Sequence, residues 1–325
     1  MEFEGSGISI SPIQNIRLPW SPYALAFNSI FSQGKRLVIC SFEKKIQNQI
    51  QIYRFNGDNI AAEGITNIDY PQIACQFSPL GSQDTTDLFI TCANTLKLWQ
   101  CQPGEINLLS DVPIAPDNSP LTGLDWSTYD ETKVVCCSSD CSATCVDISM
   151  AQPTTRIMAH DHPIHDIKFV GSTPTFVTCG FDGSMRFFDI RELESSVIYY
   201  QTALPLMRCA VSPYDATKIA TFSYNSQCIV IIDTRQPGIP VSVVKEQEGS
   251  VSAISWGLSF ENLLLSSNLN GNIYSSTINQ DPEPQVFISY MHDKEIQSVA
   301  NQRSYCAITS TKNLSLLKMN VAKNE

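Results

Sequence analysis

An all-β fold, a seven-bladed β-propeller closed by its N-terminal strand, is what the sequence predicts, and three periodic observations predict it. A short β-branched run ending in small residues returns seven times: LVICS from Leu37, LFITC from Leu88, VVCCS from Val134, FVTCG from Phe176, IATFS from Ile219, LLSSN from Leu264 and CAITS from Cys306. The starts lie 51, 46, 42, 43, 45 and 42 residues apart. Ahead of each run stands a second signature, an apolar residue, one more position, then usually an aromatic: Leu25/Phe27, Cys75/Phe77, Leu124/Trp126, Ile167/Phe169, Cys209/Val211, Ile254/Trp256 and, weakest, Val299/Asn301. After each run a polar turn leads to a third strand, as in 95-TLKLW-99, 142-SATCVDI-148, 184-SMRFFDI-190 and 227-QCIVIID-233. A fourth, more variable strand occupies 196-SVIYY-200, 240-PVSVV-244 and 285-QVFIS-289. Four strands per unit of roughly 44 residues is the arithmetic of a propeller blade.

The blades use the chain from about residue 20 to about residue 320, so a single domain spanning residues 1–325 with no linker is expected. The last unit lacks a fourth strand, whereas 12-PIQNIRL-18 is a strand without a partner ahead of the first unit. Pairing the two closes the ring and removes two exposed edges.

Charge and composition narrow the function. The 325 residues carry 21 Lys+Arg against 32 Asp+Glu, a formal net charge of −11, so the summed field repels nucleic-acid phosphates and anionic lipid headgroups. The start, 1-MEFEGSGISI-10, is acidic rather than basic, and no apolar stretch reaches membrane-spanning length. The chain therefore reads as soluble and intracellular, with neither nucleic acid nor membrane as a direct partner. Many of the twelve cysteines lie inside apolar runs such as 37-LVICS-41 and 134-VVCCS-138, the pattern of buried free thiols rather than a disulfide scaffold.

The stretch 159-AHDHPIHDIKF-169 holds three of the four histidines, His160, His162 and His165, between Asp161 and Asp166. Imidazole and carboxylate suit zinc or a dinuclear hydrolase. Placed on the blades, however, His160 falls in the loop entering the fourth blade, and 182-DG-183 is that blade's tight turn. His160, Asp182 and Thr178 are then expected to satisfy one another as a structural network. His165 is expected on the inner strand, on the side shared with Ile167 and Phe169, and His162 in the loop, so the imidazoles do not converge and no metal is expected. Cys136 and Cys137 are adjacent in a strand and face opposite sides, and no paired C-x-x-C, glycine-rich phosphate loop or G-x-S-x-G elbow occurs.

At 184-SMRFFDIR-191, with Asp189 following the position usually held by Trp, the sequence resembles WD-repeat proteins. Together with 18-LPWSPYALAF-27, 121-LTGLDW-126, 158-MAHDHPIHDIKF-169 and 181-FDGSMRFFDIRELESSVIYY-200, it is similar to the family of the plant Transparent Testa Glabra protein and its animal counterpart. That branch is a WD-repeat scaffold for DYRK-type kinases, also classed among cullin ubiquitin-ligase substrate receptors. The resemblance implies a non-enzymatic scaffold or adaptor without cofactors. It would bind kinases, transcription regulators or a cullin-ligase adaptor protein, in nucleus and cytoplasm. It also implies a docking element, aromatic or apolar, Asp, any residue, Arg, after the third strand. 188-FDIR-191 and 232-IDTR-235 fit it, which makes Asp189, Arg191, Asp233 and Arg235 the candidate contacts.

On the opposite face the loops 138-SSD-140, 181-FDG-183 and 223-SYNS-226 offer Asp140, Phe181 and Tyr224 as partner-binding candidates. Blades three to five replace the Trp by Val146, Phe188 and Ile232. Blades six (271-GNIYSST-277) and seven (311-TKNLSLLKM-319) are expected to lack their internal polar networks. Two rival readings are a metal-dependent propeller hydrolase with a His/Asp site in the channel, and a purely structural subunit of a larger assembly.

Overall fold

Each blade is built from a sequence that suits its depth in the ring. In blade four the inner strand Ile164–Phe169, the second strand Thr175–Gly180, the third strand Ser184–Asp189 and the outer strand Glu192–Gln201 pair antiparallel in that order. The second strand, TFVTCG, is buried along almost its whole length, because neighbouring blades cover both of its faces. A strand covered twice reads as a continuous apolar run, which is why these segments stand out in the sequence. Gly183, at φ 72°, completes the turn between second and third strands, where a Cβ would collide with the carbonyl of Thr202. The matching Gly271 of blade six meets the carbonyl of His292 in the same way.

The computed structural model describes residues 8–29, 34–44, 47–57, 59–81, 85–245, 248–258, 260–278 and 284–321; the acidic residues 1–7 lie outside them. Among the described residues there are 28 strands in seven four-stranded sheets, and no helix long and apolar enough to cross a membrane. Six sheets use four strands consecutive in sequence; the seventh runs Ile8–Arg17, Asn313–Val321, Tyr305–Ser310, Ile296–Gln302. The predicted closure is therefore present, with the closing strand starting at Ile8 rather than residue 12. The extension follows from Ile10, which is 7% exposed and packs with Ile308, Leu317 and Met319. Pro12, with no N–H to donate, sits at a register shift between Pro12 and Gln14.

The core lies between blades. One apolar cluster joins Leu263, Leu265 and Ile273 of blade six to Ile296, Ile308 and Leu317 of blade seven; another joins Val177 and Met185 of blade four to Leu206 and Ile219 of blade five. Each sheet thus buries its faces only against its neighbours. Inner-strand side chains add polar stitches across the same seams. Gln76 Oε1 accepts the Trp126 N–H (2.9 Å), Asp125 Oδ2 the Phe169 N–H (2.8 Å) and Asp166 Oδ2 the Cys209 N–H (3.2 Å). Asn301 joins blade seven to blade six through the Leu258 N–H and the Trp256 carbonyl, and Gln302 Nε2 donates to the Asn28 carbonyl across the closure.

Between blades one and two the seam holds a buried ion cluster. Arg36 donates through Nε and NH2 to Glu63 (2.6 and 3.1 Å) and through NH1 to Asp87 (2.8 Å) and the Thr85 carbonyl (2.7 Å). Asn28 accepts the Arg36 N–H and donates to Asp87. Burial opposes the guanidinium charge, but the bonds to Glu63 and Asp87 outweigh it and raise the Arg36 pKa.

Two expectations are corrected. Blade six does have a polar network at its turn. Asn268 Oδ1 accepts the N–H groups of Asn270 (3.1 Å) and Asn272 (2.9 Å), its Nδ2 donates to the Glu248 carbonyl, and the buried Tyr274 hydroxyl accepts the Glu248 N–H (2.9 Å). An amide and a phenol replace the usual acid and imidazole. In blade seven, among the described residues, the buried Ser310 and Ser315 hydroxyls have no hydrogen-bond partner. The second correction concerns His165. A bulge between Ile164 and Asp166 breaks the alternation, so Ile164 joins Ile167 and Phe169 in the core, while half-buried His165 bonds the Leu206 carbonyl of the next blade (2.7 Å).

Candidate protein-interaction surfaces

The loop that enters blade four brings His160 beneath that blade's turn. His160 Nδ1 lies 2.9 Å from Asp182 Oδ2, and its Nε2 lies 2.7 Å from Thr178 Oγ1. A carboxylate only accepts, so Nδ1–H donates to Asp182 and Nε2 accepts the Thr178 hydroxyl proton. Ser184 also donates to Asp182, and Arg186 NH2 binds Asp182 (3.0 Å) and Asp161 (2.9 Å). The ring of His162 stacks on Phe181 at 6.0 Å instead of joining this cluster. No group of three or more histidine, cysteine or acidic side chains with metal-binding geometry occurs among the described residues. In the channel the carboxylates converge on a lysine. Lys168 Nζ stands 3.6 Å from Asp166 and 3.8 Å from Asp125 and donates to the Leu124 carbonyl.

Burial pushes the His160 pKa below the ordinary imidazole value, and the Asp182 charge only partly offsets it. The native state therefore holds His160 neutral. As pH falls below about 6.5 the unfolded chain gains a proton that the native chain does not, so stability is present above that pH and declines from there downward. Replacing His160 with glutamine is expected to cost about 1–3 kcal/mol at neutral pH. It should also flatten the decline of the urea midpoint between about pH 6.5 and 5. An unaltered slope in that window would assign the decline to other groups.

The same turn geometry presents a repeated position on the top face, the residue directly after each second strand. In blades one, four, five and six it is Phe42, Phe181, Tyr224 and Leu269, exposed by 40%, 53%, 62% and 45%. Their backbones are fixed, because each N–H donates to the carbonyl of the loop entering its own blade: Phe42 to Ser21, Phe181 to Pro163, Tyr224 to Pro205 and Leu269 to Ser250, all within 2.8 to 3.0 Å. Phe181 and Tyr224 are thus held outward as large apolar contacts. Asp140, by contrast, is occupied, since it accepts from Ser142 and from Arg156 NH2 (2.7 Å). Phe42 and Leu269 were missed by motif reasoning.

On the opposite face the two Asp-any-Arg elements fold back on themselves. Asp189 Oδ1 accepts the Arg191 N–H and Nε–H (both 2.9 Å) and Oδ2 accepts NH2 (2.6 Å); Asp233 and Arg235 repeat the arrangement one blade on, at 2.9, 2.9 and 2.5 Å. The hydrogen bonds from the arginines hold both aspartate pKa values below the usual range. The Arg191 and Arg235 side chains nevertheless stay 72% and 65% exposed, each pinned along one edge of its guanidinium with the other edge turned to solvent. Blade three has no such fork, as Asp147 there binds Lys133 and Ser149.

Seven like blades and an outer strand borrowed from the N-terminus define the protein as a seven-bladed β-propeller, with a His–Asp turn network in blade four. The proteins it resembles include two named as WD repeat-containing. It is 28% identical over 315 residues, 93% of this chain and 97% of the other, to the DDB1- and CUL4-associated factor 7 homolog of Dictyostelium discoideum. It is 29% identical over 281 residues to a WD repeat-containing protein of Schizosaccharomyces pombe, and 30% identical over 284 residues to one of Saccharomyces cerevisiae. These two alignments take in 73% and 74% of this chain but 63% and 54% of the yeast proteins, so the chain spans less than two thirds of either. No protein-family model matches the chain.

Proposed function

We propose that the protein is a non-enzymatic adaptor that holds different proteins on the two faces of one rigid ring. The observation that carries this reading is the set of four exposed apolar side chains at one repeated position, each on a backbone already fixed by a hydrogen bond. Preorganised side chains lose little further freedom on association, so burying them yields net affinity. The arginine forks form the second surface. Arginine is enriched among the residues that dominate binding energy, and a guanidinium with one free edge suits an acidic partner. The Dictyostelium relative is named as DDB1- and CUL4-associated, which supports a cullin-ligase adaptor as the protein docked by Asp189, Arg191, Asp233 and Arg235. Kinases of the DYRK type and transcription regulators, and residence in nucleus and cytoplasm, rest on the resemblance of the sequence segments alone.

The test is affinity purification from native lysate with quantitative mass spectrometry, comparing wild type with two variants. Arg191→Ala with Arg235→Ala should lower recovery of a ligase adaptor at least about tenfold, while the melting temperature stays essentially that of wild type. Phe42→Ser with Phe181→Ser should remove a different set of proteins. Equal recovery of the ligase adaptor by wild type and the arginine variant would reject the docking assignment, and a partner list indifferent to both variants would reject the adaptor reading.

A further inference from the structure

Where the top face meets the axial channel, blades five, six and seven leave a notch of about 320 Å3. Met207, Tyr224, Leu269 and Ile296 supply apolar walls, Tyr23 closes one side, and Arg208 lies in the floor, where it also lines the channel. The volume is at the lower end of the range of roughly 300–1,000 Å3 typical of ligand sites. Arg208 differs from the other interior cations. Arg36, Arg156 and Arg186 each hold a carboxylate within 3.0 Å, and Lys168 lies 3.6 Å from Asp166. Arg208 is fixed by neutral acceptors instead: NH1 donates to the carbonyls of His165 (3.0 Å) and Met207 (3.3 Å), and NH2 to the Tyr23 hydroxyl (3.2 Å). Those bonds use the two NH1 protons and one of NH2, so among the described residues two of the five guanidinium N–H groups are left over. Asp166 acts on Arg208 only through space, its own oxygens accepting the N–H groups of Ile167 and Cys209.

We infer that the notch receives a short segment of a partner protein in which an aspartate or glutamate stands next to a large apolar side chain. The carboxylate meets the remaining Arg208 N–H groups, and the apolar group packs between Met207, Tyr224 and Leu269. The inference deepens the adaptor reading and rests on it. Charge complementarity selects this occupant. A basic segment would set like charge against Arg208, and a wholly apolar one would bury the guanidinium edge without an acceptor. The chain's formal charge of −11 repels acidic segments at long range, so recognition is local. A partly buried pair is also poorly screened, so binding should depend only weakly on salt.

The test uses the purified full chain and fluorescein-labelled eight-residue peptides of glycine and serine that carry a central Asp-Phe, Asn-Phe or Asp-Ser pair, read by fluorescence anisotropy. The Asp-Phe peptide should bind at least about tenfold more tightly than the other two. Tyr224→Ser and Leu269→Ser, both exposed and outside the core, should weaken it to a similar extent. Arg208→Gln should remove the preference for Asp over Asn; should that variant fail to fold, the two exposed variants still decide whether the notch is the site. Equal binding of Asp-Phe and Asn-Phe, no binding of any peptide, or full retention of binding by Tyr224→Ser and Leu269→Ser overturns the inference. So does competition by free phenylacetate as effective as the peptide itself, which would make the notch a small-molecule site. None of these outcomes alters the partner list by which the adaptor reading is judged, so the two can fail separately.

Discussion

Replacing Arg36 with alanine is expected to cost the protein about 3–5 kcal/mol, a large share of the stability of any domain. Arg36 is 2% exposed, and the loss would strip buried Asp87 of its guanidinium partner and leave part-buried Glu63 with only the half-exposed Arg54, 3.8 Å away, on the seam between blades one and two. Arg36→Lys should recover only part of the loss, because an ammonium cannot span both acids and the Thr85 carbonyl as the planar fork does. Urea denaturation followed by tryptophan fluorescence reads both variants. A loss below about 1 kcal/mol for alanine would mean that water enters the seam and solvates the acids, and that the cluster is not a structural clamp.

A still larger effect is expected from deleting residues 1–17. That removes the outer strand of blade seven, uncovers the edge of Asn313–Val321 and takes Ile10 from the cluster it shares with Leu317 and Met319. A blade cannot bury its faces alone, so the damage spreads to both neighbours. The truncated protein should aggregate or lose cooperative unfolding, and a synthetic peptide of residues 8–17 added in trans should restore part of the transition. A truncated chain that unfolds cooperatively within about 1 kcal/mol of wild type would show that the ring is held shut by the inner seams alone.

The parts legible in the sequence are those that one repeated constraint imposes on every blade. Second strands covered on both faces must be apolar throughout, so all seven runs could be aligned by eye, and the strand left over at the N-terminus then had one place to go. The turn position was equally visible, since the residue after each aligned run is Phe42, Ala93, Ser139, Phe181, Tyr224, Leu269 or Thr311. Phe42 and Leu269 hold the same position as Phe181 and Tyr224, and only the alignment of the runs, not their own loop sequences, reveals it. Contacts that occur once were not legible. Arg36, Glu63 and Asp87 come from strands far apart in sequence, and nothing local distinguishes them from solvated surface charges. The network of Asn268 and Tyr274 escaped because it reaches the same end with different chemistry. The bulge at His165 moved that side chain off the core face by a single inserted residue, which strict alternation cannot anticipate.

The pairing of Ile8 with Val321 also settles how this molecule can be handled. The strand Asn313–Val321 runs from the turn level of Asp182 down to the level of Arg191 and Arg235, so a tag, fluorophore or fusion partner grafted at Ile8 or at Val321 would leave the ring on the arginine side. Immobilising the protein through such a graft would crowd the forks first and leave Phe42, Phe181, Tyr224 and Leu269 free. An assay that loses one class of partner on a tagged chain would then be reporting the handle rather than the protein.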